Sequence, residues 1–172
     1  MGLHAELRFR VIIIVMEQSR SRRRLRGFSL IELLIVIAII LIILTIAVPR
    51  LSVAQMNARE MAVVREIQTV NTAQAQYMSQ FGKFAASMAE LGPPPSGGPG
   101  PAAADLIPGS LSSGDKDGYS FILAATPSGY TLTVNPKVYN TTGRRTFYSD
   151  QNMIIHQNWS AEPANASSPE LK

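Results

Sequence analysis

From Phe28 to Val48 the chain reads FSLIELLIVIAIILIILTIAV, twenty-one positions of which only Ser29, Glu32 and Thr45 are not apolar. A helix of that length spans about 30 Å, the hydrocarbon thickness of a bilayer. Ten of its residues are β-branched Ile and Val, yet in hydrocarbon the backbone must satisfy its own hydrogen bonds, and a helix does so. Beyond Pro49 the pattern changes period. Val53, Met56, Val63, Ile67, Val70, Tyr77 and Phe81 form a helical apolar stripe, with Glu60 and Gln74 interrupting it at the same spacing. Residues 49–82 therefore read as an amphipathic second half of the same helix. Pro49 removes one backbone donor and predicts a kink, and Gly82 marks the helix end. The last third alternates instead. Tyr130, Leu132 and Val134 are interleaved with Thr131, Thr133 and Asn135, and β-branched and aromatic runs cover Tyr119–Ala125, Thr146–Ser149 and Met153–Trp159. Thr126–Pro–Ser–Gly129 and Asp150–Gln–Asn152 read as turns. The expected class is α+β: a long N-terminal helix, membrane half plus amphipathic half, packed on a C-terminal antiparallel sheet of three or four strands.

Composition sharpens the boundaries. Seven of the 12 glycines and six of the 11 prolines fall in residues 92–118, including Pro93–Pro–Pro95. Such a stretch predicts a loop with little regular structure, so residues 83–118 separate the helix from a sheet region over 119–159. The tail 160–172, SAEPANASSPELK, reads as flexible. Charge is uneven as well. Residues 1–27 carry seven arginines against two glutamates, whereas the remainder holds nine Lys and Arg against ten Asp and Glu. The basic character, pI ≈ 9.7, thus belongs to an N-terminal leader. Its Arg22, Arg23, Arg24 and Arg26 directly precede the apolar span, placing that end in the cytoplasm and everything after Pro49 outside it. No nucleic-acid partner is expected.

The apolar stretch is too long for an ordinary secretory signal, and no small-residue cleavage site follows it. A simple anchor has no use for Glu32, a carboxylate inside the span. The segment Arg24–Leu–Arg–Gly27 followed by Phe28–Ser–Leu–Ile–Glu32–Leu–Leu resembles the class III signal of type IV pilins and their pseudopilin relatives. The resemblance implies that prepilin peptidase cuts between Gly27 and Phe28, that Phe28 is then N-methylated, and that Glu32, fifth in the mature chain, takes part with Phe28 in filament assembly. Pro49 matches the proline these helices carry near their outer end. The implied fold is pilin-like. The implied partners are other copies of the chain in a helical filament, prepilin peptidase, and an inner-membrane assembly platform. The prepilin is expected as a single-pass inner-membrane protein, later an extracellular or periplasmic filament. A start at Met16 gives a leader of ordinary length, and residues 1–15 then read as an upstream extension.

Physical reasons accompany the motif. Cleavage creates an α-amino group one turn from Glu32, and in a dry bundle a carboxylate and a neighbour's amine neutralise each other and set the axial register. The leading reading is a structural subunit of a type IV pilus or related filament. The alternative is a major pseudopilin of a type II secretion system that helps push exoproteins through the outer membrane. A non-polymerising anchored binding domain is the third. Many type IV pilins close their C-terminal region with a disulfide, and this chain has no cysteine.

No enzyme is expected. Only His4 and His156 are present, so no histidine pair offers a zinc site, and no nucleophile motif frames the serines. Asp115–Lys–Asp117–Gly118 resembles half of a calcium loop without its later ligands. Asp115 and Asp117 are accordingly calcium candidates, kept because major pseudopilins carry calcium in that region, and no other cofactor is expected. Arg144–Arg145 is too small a basic patch for DNA. Asn140, Asn158 and Asn165 head N-x-S/T sequons.

Overall fold

The computed structural model describes residues 27–172; the leader arginines Arg22, Arg23, Arg24 and Arg26, and Met16, lie outside the described residues. Helix α1 runs Leu30–Phe81 with Pro49 inside it. The described chain forms two compact units, one ending at Leu44 and one running Thr45–Lys172. The first is helical and apolar, and every one of its described side chains is exposed.

In the second unit α1 carries a buried face of Met56, Glu60, Val63, Ile67, Val70, Asn71, Ala73, Gln74 and Tyr77. The expected stripe is there, but it begins at Met56; Val53 stays 40% exposed. The helix ends at Gly82, whose φ of 70° suits a residue without Cβ. Its N–H donates to the Met78 carbonyl (2.9 Å), closing the last turn.

Five strands, β1 (Asp115–Lys116), β2 (Tyr119–Thr126), β3 (Gly129–Pro136), β4 (Thr146–Asp150) and β5 (Ile155–Asn158), form an antiparallel meander in chain order. The β2–β3 hairpin closes on the Thr126–Gly129 pair around Pro127–Ser128. Inward residues of the strands, Phe121, Leu123, Leu132, Val134, Phe147 and Ile155, join Val63, Ile67, Val70 and Tyr77 in one core. This is the expected α+β arrangement with one strand more. The extra strand is β1, a polar pair without alternation, held against Tyr119 and Ser120 by turns at Gly114 and Gly118.

Two further expectations are corrected. The Gly/Pro-rich segment is not featureless: it contains α2 (Met88–Leu91) and α3 (Gly109–Ser112). Ala104, Ile107 and Leu111 enter the core, and the 104–107 backbone donates to the carbonyls of Glu90, Leu91 and Gly92. Nor is the tail loose. Ala164 is buried, and Leu171 packs against the core.

Candidate functional site

The N-terminal end of the described chain is built from Gly27, Phe28, Ser29 and the first turn of α1. The Ser29 carbonyl accepts from the Leu33 N–H at 3.2 Å, which starts the helix. Ser29 and Glu32 thus stand at the N-cap and third helical positions, the spacing of a capping box. That spacing is present in the Ser–Leu–Ile–Glu run of the sequence itself. Glu32 lies in the first turn, where the helix dipole favours a negative charge.

Around that carboxylate the surface is apolar. Phe28 is 74% exposed and Leu30 81%. From Ile31 to Leu51 fifteen further large aliphatic side chains are open, on all sides of the helix. The span is long and apolar enough to cross a membrane, and none of it is buried within the chain. An all-round apolar helix needs lipid or other helices to cover it.

Pro49 lies within α1 and has no N–H to give to the helix.

The calcium candidates sit at the sheet edge. The Asp115 carboxylate pairs with Lys137 Nζ at 2.9 Å, and Asp117 adopts φ 51° in the turn before Gly118. Among the described residues no three His, Cys, Asp or Glu side chains gather as a metal site would require.

The Arg145 side chain turns inward to Glu60, and Arg144 meets the same carboxylate through its backbone, its guanidinium donating to Asn57 Oδ1 at 3.0 Å. Glu60 Oε1 accepts from the Arg144 backbone N–H and its Oε2 from Arg145 Nε, both at 2.7 Å. The Arg145 guanidinium also donates to Gln157 Oε1 (3.0 Å) and lies 5.4 Å from the Phe147 ring centre and 4.9 Å from that of Trp159. Gln74 meets the Ala85 backbone twice, donating at 3.0 Å and accepting at 2.9 Å. Asn71 donates to Ser149 Oγ and accepts from Tyr130 Oη, both at 2.9 Å. These polar residues join the helix to the sheet and loop; the placement of Glu60 and Gln74 on the apolar face was their only sequence signal.

Comparison with known proteins bears on the N-terminal end. Residues 22–48 match the family model described as the prokaryotic N-terminal methylation motif, the class III signal peptide of type IV pilins and pseudopilins. The matched residues cover the end of the leader and the apolar span. No curated protein and no solved structure matches the chain. The motif, the long apolar helix and the α+β arrangement together support a pilin-like or pseudopilin subunit, a structural class rather than an enzyme.

Proposed function

We propose that the chain is a prepilin, the structural subunit of a type IV pilus or a related extracellular filament. Prepilin peptidase removes the leader after Gly27, Phe28 is N-methylated, and the processed subunit leaves the inner membrane to polymerise through the helix that begins at Leu30. One observation carries the reading: the methylation motif coincides with an apolar helix that its own chain leaves uncovered and that bears a carboxylate in its first turn. In lipid that helix is solvated by acyl chains. In a filament, copies of it cover one another by heterologous contacts that do not close, and Glu32 takes the α-amino group of a neighbouring Phe28.

The second reading, a major pseudopilin of a type II secretion system, rests on the same motif and helix, and the absence of cysteine does not decide between the two. A retraction ATPase encoded nearby points to a pilus; a secretin with exoprotein genes points to secretion.

The test has two parts. Purified filaments analysed by intact mass should contain a chain starting at N-methylated Phe28; a filament chain retaining Arg26 overturns the processing step. Replacing Glu32 by Leu separates filament from anchor. On a plain anchor the change is neutral or favourable, because the cost of a mid-membrane carboxylate, roughly 2.5–3.5 kcal/mol, disappears in part. In an assembling subunit it strands a neighbour's amine in a dry bundle. Processing and membrane insertion should survive while sheared filaments fall sharply in number; undiminished filaments remove Glu32 from assembly.

A further inference from the structure

The two edges of the sheet are protected by different means. An open edge presents unpaired N–H and C=O groups to any extended chain. At one edge β1 is two residues long and charged, with Lys116 paired to Glu66 and Asp115 to Lys137. It has little to offer a new strand. At the other edge β5 reads Ile–His–Gln–Asn, uncharged apart from a titratable histidine, and no bulge or proline blunts it.

What covers β5 is the C-terminal segment. His156 and Glu170 form an antiparallel bridge. Gln157 N–H donates to the Pro169 carbonyl at 2.8 Å, and Leu171 N–H donates to the Ile155 carbonyl at 2.7 Å. His156 Nδ1 contacts the Ser168 carbonyl at 2.7 Å. Upstream, Thr146 Oγ1 donates to the Glu162 carbonyl at 2.8 Å. The pairing is thin because Pro169 has no N–H to return to Gln157. Pro163 and Pro169 and the small residues between them give the segment little strand propensity of its own.

We propose that the β5 edge is a strand-accepting surface, occupied within the chain by residues 160–172 and available, once these are released, to the β5 edge of a second copy. A second copy fits because Ile155–Asn158 carries no permanent charge to repel itself. In a two-fold antiparallel pair centred on residue 156, the free Gln157 N–H and Ile155 carbonyl of each copy meet their counterparts, so the donors and acceptors match. The tail is a strap over this site. The inference does not depend on which filament the chain builds.

The chain lacks cysteine, so one introduced thiol reports pairing cleanly. His156→Cys is placed in the full chain and in a chain ending at Ser160, both held in detergent, and disulfide-linked dimer is measured under mild oxidation. The full chain should give little dimer and the truncated chain at least ten-fold more, while Gln157 becomes fast in hydrogen exchange and the amides of Leu132 and Phe147 stay protected. Equal, low dimer yields with the sheet intact overturn the proposal. So does loss of protection across the sheet on truncation, since the tail would then be part of the fold and not a strap, provided the milder Leu171→Ser variant also fails to raise the dimer yield. A raised yield from Leu171→Ser with the sheet protected supports the strap whatever the truncation does.

Discussion

Glu60 shows how a polar residue earns a place on a buried helix face. It is 1% exposed, and its two oxygens are taken by neighbouring residues, the backbone of Arg144 and the side chain of Arg145. A buried pair of this kind contributes little over a well-packed apolar substitute, but losing one partner leaves an uncompensated charge. Glu60→Ala should therefore lower stability by roughly 3–5 kcal/mol. Urea unfolding of the processed chain in detergent measures it. A loss below about 1 kcal/mol would mean that water or another group serves Arg145 equally well. The sequence placed Glu60 on the right face through spacing alone. It could not name the partner, because Arg144 and Arg145 are more than eighty positions away and read locally as an exposed basic pair. The N-terminal motif, matched over residues 22–48, was legible for the opposite reason: its signal is contiguous and needs no tertiary contact.

Elements with a clear period were legible and those without one were not. The helix reads as two halves because its apolar positions change from continuous to striped near Pro49, and Leu30–Phe81 follows from that. The strand β3 follows from alternation, and β2, β4 and β5 from their β-branched and aromatic residues. Residues 92–118 were read as loop because of their glycine and proline content, and Ala104, Ile107 and Leu111 show no helical or strand period there. Their burial comes from joining the core shared by α1, α2 and the sheet, not from any local pattern. The close approach of Gly143 to the Tyr119 hydroxyl is equally invisible in sequence; a side chain there meets the ring of Tyr119. Hydrogen exchange distinguishes the parts of the segment. Amides of Ala104, Asp105, Leu106 and Ile107, bonded to the carbonyls of residues 90–92, should exchange slowly, and those of Ser96, Gly97 and Gly98 fast. Uniformly fast exchange over 96–107 would restore the plain-loop reading. Deleting Ser96–Pro99 should spare the fold, whereas a deletion reaching Pro101 also takes the acceptor of the Tyr77 hydroxyl.

For the molecule beyond Thr45, the tyrosines link its core to the pH of its surroundings. Burial raises the Tyr119 phenol well above the usual range; the Glu60 charge adds to this and Arg145 opposes it. Tyr130 is raised by burial and then by Asp150, and Tyr77 and Tyr148 are raised for the same kind of reason. Each buried hydroxyl donates as a neutral phenol: Tyr130 to Asn71 Oδ1 at 2.9 Å, Tyr119 to the Arg145 carbonyl at 3.1 Å, Tyr77 to the Pro101 carbonyl. A phenolate can make none of these bonds. In the unfolded chain the tyrosines lose their protons near pH 10, the ordinary value, while the folded chain keeps them. Above that pH the unfolded state binds fewer protons than the native one, so stability falls as pH rises. Below it both states are protonated and the contribution is constant. Each phenol held back steepens the fall by about 1.4 kcal/mol per pH unit. Thermal unfolding followed by circular dichroism, stepped upward from about pH 9, should show the midpoint dropping once the unfolded phenols ionise. Tyr130→Phe separates this linkage from general alkaline damage. It removes one hydrogen bond to Asn71 and so lowers the midpoint at neutral pH, yet it also removes one retained proton and must flatten the alkaline decline. A variant that declines as steeply as the parent would show that Tyr130 ionises freely, and that its hydroxyl is not sealed between helix and sheet.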